Sequence, residues 1–167
     1  ELLFANNKKE NNMLLKNVSI SWVKFDPMNV DQGFDKKSPQ YSCTVKISDK
    51  VQAEEWKKAG INVKPSEENG TVVYSATLKK KIYLDADGKN STKPPAVVDK
   101  QLQPITNTST IGNGSIGNAQ VRLKPYEYMG KTGISVQLLA LQVTELKEYA
   151  GGESLAFEAI DSDTDVI

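Results

Sequence analysis

Apolar side chains recur at every second residue in several stretches of this chain, and this alternation restricts the possible folds more than any other feature of the sequence. A period of two places alternate side chains on one face of a β-strand, whereas a helix needs a period of about 3.6. In the stretch 41–47 the apolar positions are Tyr41, Cys43, Val45 and Ile47. The pattern predicts half-buried strands in this stretch and in Leu14–Phe25, Thr71–Leu84, Ala119–Tyr126 and Ile134–Leu146.

One segment, Asp49–Ala59, has the end signals of a helix. Ser48 or Asp49 can cap its first turn, and Gly60 can end it. The apolar residues expected to form its buried face are Val51, Trp56 and Ala59. Elsewhere the sequence predicts polar turns at 63–70 and 85–88, a short edge strand at 97–105 and a flexible segment at 106–118.

About five strands, many turns and one short helix predict a mainly β fold rather than an α/β sheet. Five-stranded barrels with a single helix are typical of the oligonucleotide-binding (OB) fold, and we expect such a closed barrel here. Residues 1–149 would form this one domain. Residues 150–167 contain few core-forming residues and are expected to be a disordered acidic tail.

The net charge of zero conceals an uneven distribution of charge along the chain. Residues 151–167 hold five acidic residues and no basic one. The other 150 residues therefore hold 21 basic and 16 acidic residues, a net charge of +5. A function assigned to this chain has to explain a basic body that carries an acidic tail.

The residues on which most enzymes depend are missing from this sequence. The chain has no histidine, the usual general base and a common metal ligand, and Cys43 lies in a strand pattern that favours a core role. The stretch GNGSIG at 112–117 has the glycine spacing of dinucleotide-binding loops, but a strand follows it instead of a helix, so we interpret it as a flexible linker. No apolar run reaches the roughly 20 residues of a membrane-spanning helix. We expect no enzymatic activity, no cofactor, no metal site and no membrane association.

Two predicted strands carry basic and aromatic residues on the face opposite their apolar residues. These residues are Lys79, Lys81 and Tyr83 in the first strand and Arg122, Lys124 and Tyr126 in the second. Single-stranded nucleic acid requires cations for its phosphates and flat rings for its bases. The ordinary alternative is a solvated strand face whose lysines protect an edge. Because two strands share the combination, we expect a groove for single-stranded nucleic acid, with Tyr83 and Tyr126 stacking on bases.

Loop residues extend this candidate groove. Phe34 lies in a Gly- and Asp-containing loop beside Lys36 and Lys37, where an aromatic ring has no core to join. By contrast, Trp22, Trp56 and Phe25 are interpreted as core residues. The full set expected to contact DNA is Phe34, Lys36, Lys37, Lys79, Lys81, Tyr83, Lys93, Arg122, Lys124 and Tyr126.

Several stretches of the chain resemble the single-stranded DNA-binding proteins of short-tailed bacteriophages. They include the opening strand NVSISWVKF, the strand SPQYSCTVKIS before the helix, and KKKIYLDADGK. The most specific part is TKPPAVVDKQLQPI followed by VRLKPYEYMGKTGISVQL. The resemblance rests on order and spacing and covers most of the body.

This resemblance implies an OB fold and a protein that coats single-stranded DNA, without sequence preference, during phage DNA replication, recombination and repair. It also implies annealing of complementary strands, a homodimer, and a location in the cytoplasm of the infected bacterium. The acidic tail would contact replication proteins such as the phage DNA polymerase and helicase–primase. A β-rich structural or carbohydrate-binding phage module is the alternative, since barrels and sandwiches share this type of sequence.

The tail is expected to do two things: to compete with DNA for the groove, and to dock partner proteins when DNA displaces it. The residues expected to bind partners are Phe157, Asp161, Asp163, Asp165 and Ile167. Tails in the family tend to end in an aromatic residue, whereas this one ends in Ile167. A tail that only improves solubility is the alternative interpretation.

Overall fold

Seven strands and one α-helix form within residues 11–26, 30 and 39–148, the part of the chain that a computed structural model describes. The elements are β1 (Asn11–Lys24), β2 (Gln40–Ile47), α1 (Lys50–Ala59), β3 (Lys64–Glu68), β4 (Thr71–Lys81), β5 (Ala96–Asp99), a 3₁₀ turn (Thr108–Thr110), β6 (Ser115–Tyr128) and β7 (Lys131–Glu145). No helix in these ranges is long and apolar enough to cross a membrane.

The strands form one sheet in the order β3-β4-β2-β1-β6-β7-β5. Every pairing is antiparallel except that of β5 with β7. The sheet curls until β4 approaches β7, but no hydrogen-bonded pairing between described strands closes it. The predicted mainly β class of OB type with one helix is confirmed, whereas the sheet has seven strands rather than five and is not fully closed.

The strand that the sequence did not reveal is β3. Its five residues, KPSEE, are all exposed, so no apolar residue marks a buried face. It forms because Asn69 and Gly70, both at positive φ, make a tight turn that folds 64–68 back along β4. The segment 63–70 is therefore an edge hairpin strand and not only the predicted polar turn.

Helix α1 begins and ends where its signals predict. The Asp49 carboxylate accepts hydrogen bonds from the amides of Val51 and Gln52, and Gly60 ends the helix at a φ of 104°. The buried helix residues are Ala53 and Trp56, while Val51 is 70% exposed, contrary to the prediction. Each residue advances about 100° around the helix axis, so Val51 and Ala53 lie about 200° apart. Val51 therefore faces solvent when Ala53 is buried.

The core combines inward-facing side chains of the sheet with Ala53 and Trp56 of α1. Its largest fully buried side chains include Trp56, Tyr41, Phe25 and Leu15. Cys43 belongs to this core, as the sequence predicts, and burial raises the pKa of its thiol to about 12. The thiol is therefore protonated at neutral pH and is poorly suited to act as a nucleophile.

Strand β1 is bent at two points where its register shifts, between Leu15 and Val18 and between Ser21 and Lys24. Such bulges bend a strand and change which side chains face outward. The first half of β1 pairs with β6, while the second half pairs mainly with β2. One long strand thus joins the two halves of the sheet.

The glycine-rich stretch 112–117 is tightly packed rather than the flexible linker that the sequence suggested. A Cβ at Gly112 would lie 2.6 Å from the Lys147 carbonyl oxygen, and one at Gly117 would overlap the Gln142 carbonyl oxygen. Strand β6 already begins at Ser115, so the end of the predicted flexible segment is part of the sheet. The glycines allow two backbones to approach closely, which explains the spacing without a bound dinucleotide.

Candidate nucleic-acid interface

The register of β1, β2 and β4 aligns a row of side chains on the outer face of the sheet. Lys79 of β4 pairs with Ser42 of β2, which pairs with Lys24 of β1. Directly opposed residues on neighbouring strands point to the same side of a sheet. The next row, Thr77, Thr44 and Ser21, consists of short polar side chains. The lysines therefore flank a row of short side chains, of which Thr77 is exposed whereas Ser21 and Ser42 are buried.

The predicted parity is confirmed from Ala76 to Ile82, whereas Val72 and Leu84, predicted to face the core, are 47% and 51% exposed. Ala76, Leu78 and Ile82 are buried, whereas Lys79 and Lys81 are exposed. Lys46, which faces outward further along β2, is instead bonded to Glu68 at 2.6 Å. Positive charge on this face is therefore concentrated at Lys24, Lys79 and Lys81.

Tyr83 follows directly on this basic row. Its ring is 62% exposed, and the Lys81 ammonium lies 5.4 Å from the ring centroid. Its backbone is fixed, since its amide donates to Thr92 Oγ1 at 2.8 Å and its carbonyl accepts from Ser91. A ring whose backbone is fixed and which is largely exposed is suited to stacking on a base.

The buried Tyr41 anchors the loop that carries Lys93. Its hydroxyl donates to the Thr92 carbonyl at 2.5 Å and accepts from Asn90 Nδ2 at 2.8 Å. Because Thr92 also binds the Tyr83 backbone, the exposed Lys93 that follows it lies near Tyr83. The structure thus gathers Lys79, Lys81, Tyr83 and Lys93 from the predicted set.

Trp22 is an exposed residue at the end of β1, two positions before Lys24, that the sequence interpretation missed. It was assigned to the core, but its side chain is 62% exposed. Trp22 lies in the second bulge of β1, where the next residue, Val23, packs against the core and the one after it is Lys24. Strand β2 alone separates it from β4, a distance of about 10 Å.

A signal for this outward tryptophan exists in the sequence. The apolar positions are even at Val18 and Ile20 but odd at Val23 and Phe25, and this change of phase marks the bulge. Assigning Trp22 to the same strand face as Ile20 placed its side chain in the core. We call the set Trp22, Lys24, Lys79, Lys81, Tyr83 and Lys93 the tryptophan face.

The second predicted group lies elsewhere on the sheet. Arg122 pairs with Asn12, near the start of β1, whereas Lys24 and its partners lie at the end of that strand. Twelve steps along a straight strand would span roughly 40 Å, and the two bulges of β1 reduce this separation without removing it. The structure therefore does not join Arg122 and Lys124 to the tryptophan face in one continuous row.

Tyr126 has a packing role in this second group. A Cβ at Gly133, its partner across the hairpin of β6 and β7, would lie 2.6 Å from the Tyr126 hydroxyl oxygen. The ring thus covers the glycine and remains 51% exposed. We call Arg122, Lys124 and Tyr126 the hairpin face.

Other predicted residues fall outside the described part of the chain. These are Phe34, Lys36 and Lys37 in the loop, and Phe157, Asp161, Asp163, Asp165 and Ile167 in the tail. The boundary predicted between residues 149 and 150 also lies there. Within 11–26, 30 and 39–148, no group of three or more His, Cys, Asp or Glu residues is arranged to hold a metal ion.

Comparisons with solved structures return phage proteins of the same fold. Gp2.5, a single-stranded DNA-binding protein encoded by bacteriophage T7, superposes with a TM-score of 0.53 at 18% identity, covering 82% of this chain and 93% of that one. The single-stranded DNA-binding protein from bacteriophage Enc34, in complex with ssDNA, gives 0.56 at 16% identity, with coverages of 84% and 89%. A C-terminal truncation of the Enc34 protein gives 0.54 at 16% identity, with coverages of 84% and 92%. At such identities the likeness is one of fold.

Sequence comparison supplies the family. No curated protein matches the chain. The family described as Enterobacter phage Enc34, ssDNA-binding protein matches residues 64–166, from β3 into the tail. Because this match covers more than half of the 167 residues, the chain belongs to the Enc34 family of phage single-stranded DNA-binding proteins.

Proposed function

We propose that this protein binds single-stranded DNA on its tryptophan face, without sequence preference, during phage DNA replication and recombination. The observation that carries the proposal is the combination of two exposed rings, Trp22 and Tyr83, with lysines on neighbouring strands of one sheet. Stacking on a ring contributes about 1–3 kcal/mol per base and is possible for every base. The lysines add affinity that depends on salt rather than on sequence.

A binding assay with labelled oligo-dT at two salt concentrations tests this proposal. Saturable binding that weakens at the higher salt, with much weaker binding of duplex DNA, supports it. Binding of an oligosaccharide in place of DNA would instead favour the carbohydrate-binding alternative, because exposed tryptophan and tyrosine rings also stack on sugars.

Charge reversal distinguishes the two basic faces. We expect Lys81→Glu to weaken binding of all single-stranded sequences alike and to reduce the salt slope by about 0.7 for each phosphate that the protein no longer neutralises. Arg122→Glu should have the same effect if DNA continues onto the hairpin face. Lys50→Glu, at an exposed position on α1, is the matched control and should leave affinity and slope near those of the wild type. Unchanged affinity and slope for Lys81→Glu would place the DNA on another surface.

We further propose that the acidic tail competes with DNA for the lysines. A tether of this length would keep the tail near its own domain at an effective concentration on the order of millimolar. Weak contacts of five carboxylates would then exclude weak ligands, while DNA, with a charge at every phosphate, would displace them. The displaced tail would be free to dock replication proteins, with Phe157 and Ile167 as apolar anchors.

Deleting the residues after Gly152 tests the role of the tail. Competition predicts tighter oligo-dT binding at low salt, with a gain that fades as salt rises, because screening weakens the tail contacts. The measurement is affinity at several salt concentrations for full-length and shortened protein. Equal affinities at every concentration would leave only a solubilising tail.

Three finer properties belong to the same proposal. The protein would anneal complementary strands, since a protein that binds without sequence preference leaves the bases free to pair once it dissociates. It would act as a homodimer in the cytoplasm of the infected bacterium. Its tail would contact the phage DNA polymerase and helicase–primase, which would couple strand coating to synthesis.

A further inference from the structure

Two residues of β1 have left-handed backbone conformations, Asn17 at a φ of 55° and Trp22 at a φ of 54°. Asparagine adopts this region readily, whereas a tryptophan there is unusual and needs support from its surroundings. In both cases the backbone amide donates to an asparagine side chain. Asn118 Oδ1 accepts from Asn17 at 2.9 Å, and Asn113 Oδ1 accepts from Trp22 at 2.8 Å.

Asn113 is itself held firmly from both sides. The Gly112 amide donates to the Lys147 carbonyl at 2.6 Å, and the Gly114 amide donates to the Ile20 carbonyl at 2.9 Å. The fully buried Ser115 adds a bond to the Gly112 carbonyl and accepts one from the Lys147 amide. The backbone on both sides of Asn113 is therefore bonded to Ile20 of β1 and to Lys147, just after β7, and this positions the side-chain acceptor.

We propose that Asn113 is a positioning residue for DNA binding, because its amide oxygen holds Trp22 in the left-handed conformation that turns the indole ring outward. Without this acceptor the Trp22 backbone relaxes toward extended geometry, and the ring loses the exposed orientation that it has in this structure. This inference rests on the proposed function. Asn113 lies outside the tryptophan face, but the orientation of Trp22 in that face depends on it.

The chain supplies a matched control in Asn118→Ala. This change removes the same kind of bond, from an asparagine side chain to a left-handed residue of β1, but at a residue without a ring. Asn118 also donates to Gln142 Oε1, so its loss should lower the melting temperature at least as much as the loss of Asn113. A difference in DNA affinity between the two variants therefore reports positioning of Trp22 rather than stability.

The experiment measures oligo-dT affinity and acrylamide quenching of tryptophan emission for the wild type, Asn113→Ala, Asn118→Ala, Trp22→Ala and Asn113→Ala/Trp22→Ala. Trp56 is fully buried, so the quenchable signal comes from Trp22. We expect Asn113→Ala to weaken binding about fivefold or more, in the range that loss of one stacked base implies, and to change the quenching. Asn118→Ala should change neither. The double variant should bind no more weakly than Trp22→Ala, because Asn113 acts through the ring.

The other outcomes show whether the positioning role of Asn113 or the proposed function is wrong. If Trp22→Ala weakens binding but Asn113→Ala binds like the wild type, the positioning role is wrong and the proposed function stands. If the wild type does not bind oligo-dT, the proposed function itself fails. Asn113→Asp keeps an acceptor oxygen and should restore the wild-type quenching, which keeps the test decisive if Asn113→Ala folds poorly. Quenching of Asn113→Asp that resembles Asn113→Ala would overturn the role of the acceptor.

Discussion

Replacing Trp22 by alanine is expected to weaken oligo-dT binding about tenfold or more, since a base that stacks on an indole ring contributes about 1–3 kcal/mol. The melting temperature should change little, because 62% of the side chain is exposed and little apolar area leaves the core. Trp22→Gly should bind as weakly as Trp22→Ala but melt at an equal or higher temperature. Glycine accepts a φ of 54° without the strain that any side chain adds there.

Together, the Trp22→Ala and Trp22→Gly variants show whether the indole ring contacts DNA or supports the core. Loss of affinity with retained stability in both assigns Trp22 to DNA contact. A large fall in melting temperature in both variants would instead make the ring part of the core, and wild-type affinity in both would remove Trp22 from the interface. Calorimetry and a binding titration on the same preparations give the answer.

Gly117→Ala is expected to destabilise the fold by about 3 kcal/mol or more, since its Cβ would overlap the Gln142 backbone carbonyl, which no rotamer change can relieve. Gly88→Ala is the matched control: Gly88 has a φ of 78° but open space around its Cβ position, so the cost should be about 1 kcal/mol. Chemical denaturation measures both values. Similar small costs would mean that the glycine pattern has a role other than close packing of β6 against β7.

The alternation of apolar residues predicted most of the fold because burial of one sheet face leaves a direct mark on sequence. The buried Ala76 and Leu78 and the exposed Lys79 have the parity that their spacing predicts. The caps of α1 were predictable for a similar reason, since Asp49 and Gly60 satisfy local requirements of the backbone.

Features that depend on tertiary structure were not predictable in this way. Strand β3 has no buried face and forms only through its pairing with β4. The bulge that exposes Trp22 does leave a change of phase in the sequence, but the Asn113 side chain that supports its backbone lies 91 positions later in the chain. Such long-range support has no local sequence signature.

The orientation of side chains on single strands was predictable from the sequence, whereas the arrangement of those strands was not. Parity on single strands selected Lys79, Lys81 and Tyr83 correctly as one outward group. It could not show that Arg122 is placed near the opposite end of β1, because strand order is set by pairing between distant segments. Whether DNA spans both faces stays a prediction, and the comparison of Lys81→Glu with Arg122→Glu tests it.

The most direct test of the central claim is a titration of intrinsic tryptophan emission with oligo-dT at low and at higher salt. Trp56 is enclosed in the core, so a change in emission on DNA binding reports Trp22. We predict saturable quenching at low salt whose midpoint moves to higher DNA concentration as salt rises, because stacking quenches the ring and counterion release sets the affinity. Binding of oligo-dT with unchanged tryptophan emission would contradict the claim that the tryptophan face holds the DNA.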